Sequence, residues 1–262
     1  MKPPGRKIPH LLKIWDSVAK KIRKHRRVTV FLDFDGTLVD IAPRPELVHL
    51  APAARKILRR LARHPRATLV VVSGRRRHEL LKNIGIPGIH YFGLYGWESN
   101  ARSSLPAGAR VALRRAAAAL RPLLAEYPRL WVENKRSSLS VHFLDVPAAQ
   151  QSRARRELRE RLMPFRKTLH AVENIRDVEI LPRSIPGKGK AVSRFLAQRA
   201  SRKSFPLYFG DDFSDESGFA AAGRGASVHV GRPRPTRAQY RLRNPAEVAR
   251  ALARLENLLS RS

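Results

Sequence analysis

The chain contains no cysteine, and this absence removes several kinds of chemistry at once. A protein without thiols forms no disulfide bonds, holds no metal through thiolates and uses no cysteine nucleophile. Acidic side chains are also scarce, because 21 Asp and Glu stand against 53 Lys and Arg in 262 residues, which gives a formal net charge of +32. Any catalytic chemistry must therefore depend on carboxylates, hydroxyls, histidine and lysine.

Long apolar runs are absent as well. No segment approaches the roughly 18–20 apolar residues that a membrane-spanning helix needs, and the short LLKIW near the N-terminus lacks the features of a signal peptide. We therefore expect a cytoplasmic protein. At about 100–200 residues per domain, the length allows one large domain, or a core that carries a second, smaller one.

The excess of basic residues raises the question of a nucleic acid or an anionic membrane as partner. Most of these residues lie along predicted helices, without the spacing of a helix-turn-helix or a zinc finger and without interleaved aromatic residues. We therefore predict no specific nucleic-acid partner and assign most of the charge to solvated helix faces. A positive field also attracts phosphorylated substrates, so the charge is compatible with an enzyme that acts on anions.

Residues 1–27 are predicted to form a basic, amphipathic helical extension. Its apolar positions recur at helical spacing, at Leu11, Trp15, Val18 and Ile22. Two interpretations fit this pattern: contact of residues 9–27 with a membrane surface or partner, or an additional helix packed on the body of the protein. Because every predicted site residue lies beyond this segment, we expect its removal to leave catalysis largely unchanged.

The rest of the chain predicts an α/β fold with a doubly wound, mostly parallel, Rossmann-like sheet. Continuous apolar segments typical of buried parallel strands alternate with helical patterns. The predicted strands are 28–35, 67–74, 90–96, 206–212 and 226–231, and the predicted helices are 52–64, 76–84, 188–200 and 245–260. Asn244 is expected to cap the last helix, with Pro245 in its first turn and Glu247 three residues after the cap.

The segment between the two halves of this pattern has a different arrangement of apolar and polar residues. It contains two repeats of one helix followed by two short strands, and these strands alternate polar with apolar residues, which is typical of an open-faced antiparallel sheet. The predicted elements are helices 107–126 and 148–162 and strands 131–135, 138–145, 169–174 and 177–182. We therefore predict an inserted α+β cap domain at 103–183, with the core domain formed by 28–102 and 184–262.

Carboxylates stand at the ends of two predicted core strands. Asp33 and Asp35 end the first strand, and Asp211, Asp212 and Asp215 follow the strand at 206–212. Carboxylates at the edge of an apolar sheet cost free energy unless a cation or a substrate binds them. So much negative charge implies a hard cation, and the few ligands suit Mg²⁺ better than Ca²⁺. A helix-capping role is available only to Ser214 or Asp215 in the second cluster.

Two further segments complete a predicted anion site. Ser73 and Gly74 follow the second strand, where a hydroxyl and backbone amides can hold phosphate oxygens. Lys188 stands in the Gly-rich segment that opens the helix at 188–200, where it offers a positive charge for a phosphate group.

Taken in order, these motifs resemble the haloacid dehalogenase superfamily of phosphotransferases. The matching segments are DFDGT, SGR, KGK and GDDFSDE, and the place of the insertion is similar to the larger cap type of that superfamily. Within it, the chain is most similar to the trehalose-6-phosphate phosphatases, in DFDGTLVDIAPRPE, GLYGWE, WVENKRSSLSVHF and DVEILP. The resemblance spans residues 28–256.

The resemblance implies Mg²⁺-dependent hydrolysis of trehalose 6-phosphate through an aspartyl-phosphate. Asp33 is implied as the nucleophile and Asp35 as the acid and base. The metal is implied at Asp33, the main-chain carbonyl of Asp35 and Asp211, with Asp212 and Asp215 as additional or supporting carboxylates. The implied phosphate-binding groups are the amides of Gly36 and Thr37, together with Ser73, Gly74 and Lys188.

The cap is expected to close over the core and to select the sugar. Substrate contacts are implied for Glu133, Lys135, His142 and Glu179. The chain departs from the family at Tyr95, where the family usually has histidine, and at Phe143-Leu144, where it commonly has Tyr-Arg after the histidine. Both departures bear on substrate recognition rather than on the chemistry.

Other functions remain open at this point. The core motifs do not encode the leaving group, so sucrose phosphate or mannosyl-phosphoglycerate are alternative substrates. A basic, non-catalytic binding protein on the same fold is a third interpretation, which the complete set of Asp33, Asp35, Ser73, Lys188 and Asp211 disfavours. The sequence gives no indication of oligomeric state.

Overall fold

A computed structural model describes residues 8–42, 47–99, 105–198 and 203–261. The described residues form two compact units, one drawn from Met1–Ala101 and Pro186–Ser262 and the other from Arg102–Ile185. We call them the core unit and the inserted unit. No helix within the described ranges combines the length and the apolar character that crossing a membrane requires.

The core unit is built on a six-stranded parallel sheet. Its strands are β1 (Val28–Leu32), β2 (Ala67–Val72), β3 (Ile89–Phe92), β8 (Phe205–Gly210), β9 (Ala226–Val230) and β10 (Tyr240–Leu242). They lie side by side in the order β10-β9-β8-β1-β2-β3. The predicted doubly wound, mostly parallel sheet is therefore confirmed.

Helices cover both faces of this sheet. They are α1 (Trp15–Arg23), α2 (Pro52–Arg63), α3 (Arg77–Asn83), α7 (Lys188–Ala197), α8 (Glu216–Ala221) and α9 (Pro245–Ser260). Side chains of β1 alternate between two apolar clusters: Val30 and Leu32 pack with residues of α1, α2 and α9, whereas Phe31 packs with residues of α7 and α8. Because a strand points successive side chains to opposite faces, the fully buried β1 supplies both layers of the core.

The basic N-terminal segment is part of this core. Leu11, Val18 and Ile22 are completely buried, and Trp15 is 8% exposed. The apolar face of α1 is therefore covered by the protein itself, so the structure shows the packed helix and not a membrane-facing one. Deleting the segment would remove these core side chains, so we expect a loss of stability; that catalysis by the folded protein is largely unchanged stays a prediction.

The inserted unit is an open-faced antiparallel sheet with helices. Its strands are β4 (Trp131–Asn134), β5 (Leu139–His142), β6 (Leu169–Glu173) and β7 (Asp177–Pro182), in the order β4-β5-β7-β6. Its helices are α4 (Ala107–Ala119), α5 (Arg121–Glu126) and α6 (Ala148–Leu162). The predicted α+β character of this segment is confirmed.

Three features differ from the predictions. The helix predicted over 107–126 is broken at Leu120, because Pro122 lacks an amide proton and its ring obstructs the preceding turn. The strand predicted over 90–96 ends at Phe92, and Leu94–Gly96 forms a 3-10 turn in which Tyr95 has a φ of 56°. The three-residue strand β10 was not predicted at all.

Candidate active site

The carboxyl ends of β1, β2 and β8 bring the predicted site residues to one edge of the core sheet. Leu32, the last residue of β1, lies opposite Val71 of β2 and Phe209 of β8. The loops that begin with Asp33, Ser73 and Asp211 therefore leave the sheet side by side. The Asp33 amide also donates to the Phe209 carbonyl at 3.0 Å, which extends the pairing of β1 with β8 by one residue.

Lys188 joins this edge from the first turn of α7. Its Nζ lies 3.0 Å from Oδ1 of Asp33 and 2.8 Å from Oδ1 of Asp215, and its side chain is 2% exposed. Burial alone lowers the pKa of a lysine, but the charges of Asp215 and Asp33 outweigh that effect and raise the pKa of Lys188. The residue is therefore a fixed positive charge between two carboxylates.

Asp33, Asp211 and Asp215 form a cluster in which one ligand oxygen of each lies within 4.8 Å of the others. Burial, followed by the charges of the neighbouring carboxylates, raises the pKa of Asp211 well above its usual value. The pKa of Asp33 is also raised, because burial and the neighbouring carboxylates together outweigh Lys188. Three carboxylates, those of Asp33 and Asp215 buried and that of Asp211 half-buried, stand against one ammonium and leave negative charge uncompensated, so this donor set fits a divalent cation.

Gly36 allows the two acidic loops to approach each other. It has a φ of 74°, and a Cβ atom built there would lie 2.1 Å from Oδ2 of Asp211. Any side chain at this position would therefore collide with a carboxylate of the cluster. Glycine at this position therefore serves both the positive φ of the turn and the close packing of the two loops.

Asp215 organises the acidic loop. Its Oδ2 accepts from the amides of Asp211 and Asp212 at 3.2 and 3.1 Å, and its Oδ1 accepts from the Tyr208 hydroxyl at 2.7 Å. Asp212, in contrast, caps the 3-10 turn Phe213–Asp215, with its Oδ1 2.6 Å from the Phe213 amide. The expectation that only Ser214 or Asp215 caps this turn was wrong, and Asp212 is not one of the three clustered carboxylates.

Asp35 is not one of the three clustered carboxylates and pairs with Arg75. The Nε and Nη2 atoms of Arg75 each lie 2.7 Å from one oxygen of the Asp35 carboxylate. The side chain of Asp35 is 38% exposed, whereas that of Arg75 is only 10% exposed. The two carboxylates of the DFD segment thus have different environments, one buried beside Lys188 and one at the surface beside an arginine.

The predicted phosphate-binding groups differ in how the fold uses them. The Gly36 amide donates to the Val39 carbonyl at 2.9 Å and the Thr37 amide to the Phe34 carbonyl at 3.3 Å, so both amides serve the turn itself. The Thr37 hydroxyl is fully buried and has no hydrogen-bond partner among the described residues. Ser73 is 2% exposed, and its hydroxyl accepts from the Arg75 amide at 3.1 Å. A Cβ on Gly74 would lie 2.8 Å from the Tyr95 hydroxyl.

The inserted unit presents a polar sheet face that carries the other predicted residues. Glu133 pairs with Ser140, and Ser140 pairs with Glu179, so these three side chains share one face. Trp131 pairs with His142, and His142 pairs with Asp177, so these three residues lie on that face as well. The opposite face is apolar, since Val141 is fully buried and Val178 is 1% exposed.

The charged groups on this face contact one another. Lys135 Nζ lies 3.1 Å from Oε2 of Glu179 and 3.9 Å from Oε2 of Glu133, and that same Glu133 oxygen lies 3.1 Å from Nε2 of His142. Burial raises the pKa of Glu179, although the Lys135 charge opposes the shift. The structure therefore brings Glu133, Lys135, His142 and Glu179 into one network, while their contact with a substrate stays a prediction.

Comparison with known proteins identifies the family. The family model described as trehalose-phosphatase matches residues 31–245. This chain belongs to the trehalose-phosphatase family. The predicted resemblance to haloacid dehalogenase phosphatases of the trehalose-6-phosphate type is confirmed.

Individual relatives within and around the trehalose-phosphatase family agree with this assignment. The chain is similar to a trehalose-phosphate phosphatase of Mycobacterium tuberculosis, with 34% identity over 89% of this chain and 62% of the relative's length. In structure it is similar to the C-terminal domain of a Candida albicans trehalose-6-phosphate phosphatase, with a TM-score of 0.85, 18% identity and coverage of 96% and 99% of the two chains. It is also similar to an Aspergillus fumigatus trehalose-6-phosphate phosphatase, with a TM-score of 0.68, 25% identity and the same coverage. The chain thus spans less than two thirds of the mycobacterial relative.

Three residues around these sites have no role assigned from the sequence. From the sequence, Arg75 is named only as part of the SGR segment. A charged residue directly after Ser-Gly is the feature that could have indicated a role for it. Tyr208 lies inside the apolar β8, and nothing in the sequence indicates that its hydroxyl reaches Asp215. Trp131 stacks on the His142 ring, with centroids 3.8 Å apart and an interplanar angle of 11°. The sequence feature that could have indicated a role for Trp131 is an aromatic residue in a polar strand.

Proposed function

We propose that this chain hydrolyses trehalose 6-phosphate to trehalose and phosphate, with Asp33 as the nucleophile. The observation that carries the proposal is the position of Asp33 at the end of β1, 3.0 Å from Lys188 and within a cluster of three carboxylates. Membership of the trehalose-phosphatase family supports the choice of substrate. The observations that follow support the individual roles.

In the first step, an oxygen of Asp33 bonds to phosphorus and the bond from phosphorus to the sugar oxygen breaks. Asp35 supplies the proton that the departing sugar oxygen takes up. The ammonium of Lys188 lies next to the attacking carboxylate and offsets charge on the phosphoryl oxygens, which matters because phosphoryl transfer depends mainly on positioning and electrostatics. The products of this step are trehalose and an aspartyl-phosphate.

In the second step, water attacks the phosphorus of the aspartyl-phosphate. Asp35, now deprotonated, takes a proton from this water, and the bond between phosphorus and the Asp33 oxygen breaks. Inorganic phosphate leaves, and both aspartates return to their starting states. One carboxyl group thus serves as acid and then as base.

The acidic cluster would hold Mg²⁺ through Asp33, Asp211 and the main-chain carbonyl of Asp35. Asp215 supports the cluster by holding the loop that carries Asp211. Bound there, the cation supplies charge neutralisation and orientation for the phosphoryl oxygens. Without it, Asp33 and Asp211 remain beside each other with only Lys188 to balance them.

For the remaining phosphoryl oxygens we propose hydroxyl donors. Ser73 and Thr37 each place a nearly buried hydroxyl after the strands β2 and β1, respectively. The Thr37 hydroxyl replaces the Gly36 and Thr37 amides in this role, because those amides already hydrogen-bond within the turn. We keep the Gly74 amide as a further donor.

We propose that the polar face of the inserted unit, acting as a cap, recognises the sugar. Glu133, Lys135, His142 and Glu179 offer charged donors and acceptors on that face, and charge-assisted hydrogen bonds to hydroxyls are roughly twice as strong as neutral ones. Trp131 adds an aromatic surface, 38% exposed, beside His142. A face with both features suits a carbohydrate, which has polar hydroxyls and apolar C–H groups.

The decisive experiment measures phosphate release from a panel of sugar phosphates, with Mg²⁺ and after its removal by a chelator. The panel contains trehalose 6-phosphate, sucrose 6-phosphate, mannosyl-phosphoglycerate and glucose 6-phosphate. We expect the highest kcat/KM for trehalose 6-phosphate and no turnover by Asp33→Asn. A preference for another member of the panel would change the substrate but not the reaction.

A separate titration tests the binding-protein alternative. Association with a nucleic-acid duplex is measured over a range of salt concentrations, because purely electrostatic binding weakens steeply as salt rises. Absence of phosphatase activity on every sugar phosphate, combined with tight binding to nucleic acid at physiological salt, would overturn the proposed function.

A further inference from the structure

Arg75 is the arginine that the fold presents to the second carboxylate of the DFD segment. It lies 40 residues after Asp35 in the chain, yet it forms two hydrogen bonds with that carboxylate, each of 2.7 Å. A guanidinium group that contacts both oxygens of a carboxylate fixes the plane of the carboxylate as well as its distance. The geometry therefore constrains how Asp35 can point.

Arg75 is itself held in place. Its amide donates to the Ser73 hydroxyl at 3.1 Å, and its carbonyl accepts from the Leu94 amide at 2.8 Å. Its guanidinium carbon lies 5.2 Å from the centroid of the Phe34 ring. Backbone and side chain are thus both anchored, and the side chain is largely buried. Such an anchored group can orient a neighbour without losing much conformational freedom of its own.

Asp35 needs such a neighbour. More than a third of its side chain is exposed, so it lacks the close packing that would otherwise select one rotamer. Asp33, in contrast, is buried and held by Lys188. Proton transfer requires a heavy-atom distance of roughly 2.6–3.2 Å between donor and acceptor, so a freely rotating carboxyl group would meet this condition only part of the time.

We propose that Arg75 is a positioning residue that orients the carboxyl group of Asp35 toward the leaving oxygen of the substrate. The inference rests on the proposed function, in which Asp35 gives its proton to the sugar oxygen. Arg75 retains one of its two hydrogen bonds while the other Asp35 oxygen carries the transferred proton. When the phosphorus–oxygen bond breaks, the electron pair stays on the sugar oxygen, the proton moves to it, and Arg75 again contacts both oxygens of Asp35.

Leaving-group dependence separates this role from a structural one. An alkoxide such as a sugar oxygen is a poor leaving group and depends on protonation, whereas 4-nitrophenolate departs without it. A residue that acts through Asp35 should therefore matter much more for trehalose 6-phosphate than for 4-nitrophenyl phosphate. A residue that only supports the fold should affect both substrates by the same factor.

The experiment compares kcat/KM of the parent and Arg75→Ala on these two substrates, with melting temperatures as a check on folding. General acid catalysis is typically worth about 10²–10⁴-fold, so we expect Arg75→Ala to lose at least about ten times more activity on the sugar phosphate than on the aryl phosphate. The matched control is Arg76→Ala, in the same loop, whose Nη2 pairs instead with Glu98 at 2.9 Å. Any loss in that control should be equal for both substrates.

Two further variants make the result decisive. Arg75→Lys keeps the charge but lacks the planar fork, so its discrimination between the substrates should fall between those of the parent and Arg75→Ala. In an Asp35→Asn background, single-turnover rates on trehalose 6-phosphate should change by less than about twofold when Arg75→Ala is added, because two residues acting through one step are not additive.

The outcomes distinguish the two levels of the proposal. Equal losses of Arg75→Ala on both substrates, or full additivity with Asp35→Asn, would overturn the positioning role while the phosphatase activity of the parent stands. A parent that hydrolyses 4-nitrophenyl phosphate but none of the sugar phosphates would overturn the proposed function, and the role of Arg75 with it.

Discussion

Lys188 places its ammonium 3.0 Å from Oδ1 of Asp33, in a site where the side chains are 2% and 8% exposed, respectively. Such a deeply buried ion pair often adds little to the stability of a fold, because the free energy of desolvation can exceed the electrostatic gain. The arrangement is understandable if a substrate or cation completes it. The first two predictions follow from this imbalance of charge.

Asp33→Asn should abolish turnover and leave the fold intact. The amide has nearly the shape of the carboxylate but is not a competent nucleophile, and it removes one negative charge from a site with too many. We expect no detectable phosphate release and a melting temperature equal to or above that of the parent. Substantial Mg²⁺-dependent activity in a correctly folded variant would contradict the covalent route.

Mg²⁺ should raise the melting temperature of the parent protein, and a chelator should reverse the effect. A ligand that binds only the folded state at about 100 times its Kd stabilises by about 2.7 kcal/mol. Asp211→Asn should remove most of this response, because it takes one carboxylate out of the cluster. Asp212→Asn is the matched control, since Asp212 caps the adjoining turn instead. Equal Mg²⁺ responses in both variants would argue against the proposed ligand set.

The part of the site that can be predicted from the sequence depends on patterns within single strands and helices and on their order along the chain. The strand that ends in Asp33 is continuous and apolar, and parallel strands end at the same edge, so the order of the strands alone assigns Asp33, Ser73 and Asp211 to one site. The helix opened by Lys188 is equally recognisable from its glycines. These predictions need only the order of strands and helices.

The contacts that were not predicted depend on register and rotamer. The pairing of Asp35 with Arg75 joins two loops, and the stack of Trp131 on His142 follows from which residue of β4 faces which residue of β5. A one-residue change of register would place Trp131 on the other face. Such contacts are fixed by the packing of the whole unit, and a single sequence does not encode them locally.

Glu133→Ala should lower kcat/KM for trehalose 6-phosphate by about tenfold or more, since one hydrogen bond to a charged group is worth roughly 1.5–3 kcal/mol. The same variant should hydrolyse 4-nitrophenyl phosphate nearly as well as the parent. Glu179→Gln tests the second carboxylate without emptying its buried position beside Lys135. Equal losses on both substrates would show that these residues serve the fold or the chemistry and not sugar recognition.

Arg136→Gly should stabilise the protein. Arg136 has a φ of 66° in the turn between β4 and β5, where its amide donates to Oδ1 of Asn134 at 2.8 Å. A side chain costs roughly 1–2 kcal/mol in this left-handed conformation, and glycine avoids that cost, while it loses more entropy on folding. We expect a net gain of about 0.5–1 kcal/mol in the free energy of unfolding. Arg136→Ala, which keeps the Cβ atom, should give no such gain; an equal gain would assign the effect to the arginine's charge instead.

A pH-dependent contribution to stability should come from Glu247, which joins the N-terminal segment to α9. Its Oε2 lies 2.9 Å from Nε2 of His10, its Oε1 accepts from Nε of Arg243 at 2.7 Å, and its side chain is only 1% exposed. Burial alone raises the pKa of a carboxyl group, but the hydrogen bonds from Arg243 and His10 outweigh it and lower the pKa of Glu247 to about 2.

Because the pKa of Glu247 is lower in the folded protein than the value of about 4.3 expected for an unfolded chain, the folded state favours the ionised form. This stabilisation is complete above pH of about 4.5 and is lost as the pH falls toward 2. Glu247→Gln should therefore cost about 3 kcal/mol in the free energy of unfolding at pH 7, and the difference from the parent should shrink between about pH 4.5 and 2. Urea unfolding of both proteins across this range measures it, with Glu256→Gln on the same helix as control. A difference that stays constant with pH would show that Glu247 contributes through packing and hydrogen bonding and not through its charge.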